Sequence, residues 1–114
     1  MNIRDLHTNP KSVSLVKLFK SDETTANAVQ ILRGETLQKH FSNVPALLLC
    51  VEGEAIFEDE NGVSASLKPG DYVDIVPMVK HWVKGVETSQ LILIKLIINR
   101  RQIGHLFPEN PGEK

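Results

Sequence analysis

Residues 46–71 read ALLLCVEGEAIFEDENGVSASLKPGD, and this stretch decides the fold class. Its first half has the apolar, extended character of a long strand, interrupted only by Gly53 in the middle. Asn61-Gly62 comes next, the strongest short hairpin signal in the chain, and suits a type I′ turn. Val63, Ala65 and Leu67 then alternate with Ser64, Ser66 and Lys68, a period of two that gives a strand one buried face. Lys68-Pro69-Gly70-Asp71 reads as a second tight turn. Proline presets φ there, glycine accepts a left-handed conformation, and the aspartate can hydrogen-bond nearby backbone. Strand, hairpin, strand and turn in succession describe antiparallel pairing.

The same alternation of strand and turn continues on both sides. Upstream lie SVSLVKLFK (12–20), ANAVQIL (26–32) running into a bend or bulge at Gly34, and TLQKHFS (36–42), broken at Asn43 to Pro45. Downstream lie YVDIVP (72–77), HWVKGV (81–86) and SQLILIKLII (89–98). Roughly eight strands, with turn signals about every ten residues, predict an all-β sandwich or barrel. No helical period is long enough for a βαβ crossover, so a parallel sheet is not expected. Residues 1–10 have room for one short helical turn, and the tail 99–114, with Pro108, Pro111 and Gly112, reads as irregular. The expectation is a single domain over 1–114 with its barrel core at about 12–98.

Composition narrows the function classes. Thirteen basic and 14 acidic residues give a net charge of −1 over 114 residues, so no electrostatic footprint for nucleic acid or anionic membrane exists. The N-terminal stretch lacks the apolar core of a secretory signal, and the apolar run at 91–98 is far too short to span a bilayer. The one cysteine, Cys50, forms no intrachain disulfide and suits a reducing compartment, so a cytoplasmic protein is expected.

Two segments resemble the paired signatures of the cupin superfamily. The first is GETLQKHFSNVPALLLCVEGEAIF (34–57), with glycine, histidine and an apolar strand ending in an EGE turn. The second is LKPGDYVDIVPMVKHWV (67–83), similar to the PGD…P…H signature. The resemblance implies a cupin double-stranded β-helix, a jelly-roll-like antiparallel barrel with short irregular termini. Metal-binding cupins take two histidines and a glutamate from the first signature and one histidine from the second. By position, His40 and His81 match two of these four ligands, while Ser42 stands at the other histidine and Ala46 at the glutamate. Val76 and Met78 replace the usual proline and glycine before the second histidine.

Two histidines alone make a labile site for a divalent ion such as Fe, Mn, Ni or Zn, because catalytic sites usually hold three protein ligands. Strict period-two geometry puts Gln38, His40 and Ser42 on one face, so Gln38 is the first candidate for a third ligand. The alternative is that His40 and His81 are buried histidines hydrogen-bonded to Ser42, Gln38 or water. With His40 inward, the resemblance also turns Ala46, Leu48 and Cys50 toward the pocket, with Ser42 on its wall. Leu47, Leu49 and Val51 then face outward and are apolar too, as is much of LILIKLII. A strand apolar on both faces needs cover on both, which predicts a homodimer.

Other chemistry-bearing residues have plainer readings. Cys50, in an apolar strand, reads as filler rather than nucleophile. Trp82 and Phe41 read as core or interface residues, and His7 and His105 as surface residues of the terminal segments. Glu58-Asp59-Glu60 reads as a solvated shoulder beside a hairpin. No nucleophile triad, P-loop or dinucleotide fingerprint is present, so no catalytic residue is assigned. Three functions follow: a binding module that holds a small molecule, with or without a labile divalent metal; a metal-dependent dioxygenase or isomerase acting on a small organic acid or sugar derivative; or a structural dimer with a vestigial pocket.

Overall fold

The computed structural model describes residues 1–9 and 11–97, so the expectations for the tail and His105 lie outside the described residues. Among the described residues a short 3₁₀ turn, Ile3–Leu6, precedes nine strands. They are β1 Val13–Lys20, β2 Thr24–Ile31, β3 Thr36–His40, β4 Ala46–Glu52, β5 Ala55–Asp59, β6 Ser64–Leu67, β7 Tyr72–Ile75, β8 His81–Gly85 and β9 Ser89–Leu96. A five-stranded sheet in the order β1-β2-β9-β4-β7 faces a four-stranded sheet in the order β3-β8-β5-β6, with every pairing antiparallel.

The ninth strand arises because the long strand expected over 46–60 is two strands. Gly53, at φ 85, is the corner where the chain leaves one sheet for the other. A Cβ there would run into the Thr88 carbonyl oxygen and the Ser89 Cα, so both the conformation and the close approach require glycine. Lys68–Asp71 folds as expected. Gly70 takes φ 94, Asp71 N–H donates to Lys68 O at 2.8 Å, and Asp71 Oδ2 accepts from Lys68 N–H at 2.9 Å.

The hairpin between β5 and β6 differs from expectation. A type I′ turn needs positive φ at both central residues, yet of Asn61 and Gly62 only Gly62 has it, at φ 90. Asp59 explains the difference: its Oδ1 accepts from the N–H groups of Asn61, at 2.9 Å, and Val63, at 3.1 Å. The carboxylate thus organises a longer loop with glycine at the left-handed position. The acidic triplet is consequently more than a solvated shoulder. Glu58 accepts from Trp82 Nε1 at 3.0 Å, and Glu60 accepts from Lys80 N–H at 3.0 Å.

The core lies between the sheets. Val29, Ile31, Leu48, Cys50, Phe57, Leu67, Val83 and Leu91 are buried there. Alternation places these residues inward and leaves the two outer faces to different residue types. On the four-stranded sheet the outward set includes Ile56, Glu58, Ser64, Ser66, Trp82 and Lys84, with Ile56 its one aliphatic member. On the five-stranded sheet it includes Ala26, Ala28, Leu47, Leu49, Ile92 and Ile94, paired directly across the ladders. No helix among the described residues is long and apolar enough to cross a membrane.

Candidate functional site

The two signature histidines meet across one ladder. His40 on β3 pairs with His81 on β8, and their rings lie 4.3 Å apart between centroids, tilted by 59°. A β-bulge brings this about. Leu37 pairs with Val83 and His40 with His81, so three steps on β3 match two on β8. The extra residue lets both Leu37 and His40 join the inward-facing ladder. It also breaks the strict alternation expected for β3. Gln38 is exposed and out of phase with His40, so the shared face proposed for Gln38, His40 and Ser42 does not exist.

Each imidazole is oriented by backbone. His40 Nδ1 lies 2.8 Å from Gln38 O, and His81 Nδ1 lies 3.4 Å from Val79 O. A carbonyl only accepts, so Nδ1 is the donor in each contact, and the neutral form of either ring then carries its acceptor at Nε2. His81 is buried, with its ring stacked on Phe57 at 5.5 Å. Burial pushes its pKa below the usual histidine value, helped by His40 and by Lys95, while the Val79 carbonyl and Asp59 act in the opposite direction. The segments carrying the two histidines are also stitched together, because Met78 N–H donates to Ser42 O at 2.7 Å. Met78 holds φ 69, a left-handed conformation unusual for a side-chain-bearing residue, at the position where the cupin signature has glycine.

Both histidines open onto a cavity of about 610 Å³ between the sheets, within the usual range for small-molecule sites. Its inner wall is formed by Val29, Leu48, Ile75, Val83 and Leu93, with Leu37 beside them. Of its polar lining residues, His40, His81 and Lys95 are at least half-buried, while Glu35, Gln38 and Lys39 border it at exposed positions. Of the four residues expected to line the pocket, only Leu48 does so. Ser42 is buried but turns its hydroxyl to Val44 O at 2.9 Å, which ties down the segment after β3. Cys50 is fully buried within the core, where burial raises its thiol pKa, as expected of filler. Ala46 packs against the core and borders a separate shallow groove on the other side of its sheet.

Lys95 also lines the cavity, and no expectation from the sequence includes it. Its phase was visible. It follows Leu91 and Leu93 at two-residue spacing, which puts it on their inward face.

The donor set does not fit a resident transition metal. Two imidazoles with free Nε2 atoms and carbonyl-bound Nδ1 atoms resemble ligating histidines. However, no group of three His, Cys, Asp or Glu side chains among the described residues can hold an ion. Gln38 is out of phase, and the neighbouring ammonium of Lys95 opposes a divalent cation.

Comparison with known proteins supports the fold and goes no further. No family model matches the chain, and no curated protein matches it. Solved structures do. A cupin superfamily protein from Desulfitobacterium hafniense superposes with TM-score 0.71 at 21% identity, covering 80% of this chain and 83% of that one. An RmlC-like cupin with a double-stranded β-helix fold from Methanocaldococcus jannaschii gives TM-score 0.68 at 23% identity, covering 78% and 84%. KdgF from Halomonas sp. gives 0.71 at 20% identity, covering 83% and 88%. At these identities the likeness establishes the fold. The chain is a small cupin-type double-stranded β-helix.

Proposed function

We propose that this domain binds a small organic molecule inside its barrel and does so without a resident metal. The observation that carries the reading is the cavity of about 610 Å³, walled by aliphatic side chains and reached by a few convergent polar groups. The alternative of a metal-dependent dioxygenase or isomerase is disfavoured by the donor set, which lacks a carboxylate beside the two histidines. Fold likeness cannot supply that chemistry, because one barrel serves many functions. The buried single thiol suits a reducing compartment, and the cytoplasm is the proposed place of action.

The reading includes a second copy of the chain. Leu47, Leu49, Ile92, Ile94 and Leu96 are only half-buried in one chain, and a groove at Pro45, Leu47, Asp74, Ile94 and Leu96 crosses the same face. Pairing this face with itself would cover it.

The test is a small-fragment screen by ¹H–¹⁵N NMR, run on protein purified without a histidine tag and assayed for Fe, Mn, Ni and Zn. Fragments that shift the amides of Leu48, His81, Val83 and Leu93 are expected, with metal well below one ion per chain. Leu93→Phe, which fills the cavity, should abolish those shifts while leaving the strand spectrum intact. Near-stoichiometric metal lost in both His40→Ala and His81→Ala would overturn the metal-free reading. Unchanged fragment binding in Leu93→Phe would overturn the cavity as the binding site.

A further inference from the structure

Lys95 places a charge where its strand otherwise turns leucines inward. It pairs across the ladders with Ala46 on β4 and Thr25 on β2, so neither lateral neighbour offers a carboxylate. It is half-buried and lines the cavity whose wall is Val29, Leu48, Ile75 and Leu93. The only ion pair among the described residues joins Arg4 to Glu52 on the surface, at 3.6 Å. An ammonium on an otherwise aliphatic wall, with no ion-pair partner among the described residues, is placed to take a charge-assisted contact from an anionic ligand.

The other charged residues lining the cavity are differently engaged. Lys39 directs its Nζ over the Trp82 ring, 5.0 Å from the centroid, on the outer face of the four-stranded sheet. Glu35 lies in the segment leading into β3, outside ion-pair reach of Lys95. One free ammonium opposed by a carboxylate on the same cavity matches a single negative charge better than a phosphate dianion. The aliphatic wall calls for an apolar body on the same ligand.

We propose that Lys95 is the anion anchor of this cavity and that its ligand is an organic monocarboxylate with a small apolar body. The carboxylate takes charge-assisted hydrogen bonds from Nζ, and the apolar part lies against Val29, Leu48, Ile75 and Leu93. The proposal rests on the binding reading above and specifies its ligand class.

Hexanoate, hexanamide and inorganic phosphate are the probes, titrated at pH 7.5 into the full chain and followed by amide shifts of the cavity residues. Wild-type protein should bind hexanoate more tightly than hexanamide, and phosphate least. Lys95→Met should weaken hexanoate about tenfold or more, with hexanamide changed less than about twofold; a tenfold loss corresponds to about 1.4 kcal/mol. Lys95→Arg should retain the preference for hexanoate. Hexanamide binding also verifies that each variant's cavity is folded. Equal affinity for hexanoate and hexanamide, or hexanoate unaffected in Lys95→Met, would overturn the anchor and leave the binding reading standing. Phosphate binding in the cavity as tightly as hexanoate would overturn the carboxylate assignment. If no probe shifts the cavity residues of wild-type protein while they report on other fragments, the carboxylate proposal fails alone. If they report on nothing, both readings fail.

Discussion

Strands β8 and β9 follow each other in the chain but present opposite chemistry to the outside. Outward residues of β8 are Trp82 and Lys84, and those of β9 include Ile92 and Ile94. Around β8 the outer face is finished within one chain. Trp82 donates to Glu58, Lys39 covers the indole ring, and Ser66 Oγ donates to Glu54 Oε2 at 3.1 Å. Around β9 the outer face is finished at one end only, where the N-terminal segment docks and His7 Nδ1 meets Ser14 Oγ at 2.8 Å. Elsewhere it is mostly half-buried leucine and isoleucine, with Tyr72 and Asp74 exposed along the edge strand β7. A polar outer face tolerates change because water takes over lost contacts. An apolar one is sensitive, because its contacts lie in whatever covers it.

The largest difference between the faces should appear in assembly. Ile92→Lys puts an ammonium at the middle of the apolar face, and light scattering at micromolar concentration should show the mass fall from dimer to monomer. Lys84→Glu on the opposite face should leave the mass unchanged. If both variants and wild type are monomeric, the contrast between the faces does not extend to self-association.

Acid should act next, and unevenly. Burial holds the pKa of His7, beneath the apolar sheet, and of His81, between the sheets, below the ordinary value of 6.5. Below that value the unfolded chain takes up protons that these folded sites resist. Stability is therefore full above about pH 6.5 and falls as the pH drops through the lower folded values. Urea midpoints at pH 7.5 and 5.5 should show the decline, and His7→Gln should make it shallower. A midpoint that does not fall with acid would mean that neither histidine is held neutral.

Trp82→Phe should have the smallest effect. It removes the Nε1 hydrogen bond to Glu58, exposed enough that about 1 kcal/mol or less is at stake in urea unfolding. A loss of several kcal/mol would show that the polar face is as integral to the fold as the core.

What could be read in the sequence was local in origin. Gly53 and Pro69-Gly70 announce their turns because φ preferences belong to those residues alone. The apolar outer face was legible because LLL and LILI leave no polar side to a strand. The bulge in β3 was not legible, since it is a mismatch between β3 and β8 and neither strand contains it alone. That is why Gln38 was assigned the wrong phase. Asn61-Gly62 misled for a related reason. The dipeptide suits a two-residue loop, but Asp59 reaches past it to two backbone N–H groups and sets a longer one. Lys95 was visible yet undervalued, because a charge in an apolar run looks like a flaw until its phase is compared with Leu91 and Leu93.

Strand β9 lies at the centre of its sheet and is almost equally apolar on either side, so hydrophobicity alone distinguishes poorly between its two possible registers. One polar residue, Gln90, breaks the tie. Gln90 Nε2 donates to Gln30 Oε1 at 2.8 Å across the ladder, on the outward side, while Lys95 faces inward where the cavity opens. A slip by one residue would press the Gln90 amide into the core, away from Gln30, whereas Lys95 would gain water by it. Gln90 therefore acts as a spelling mark in the strand, penalising the misread sheet more than it strengthens the correct one.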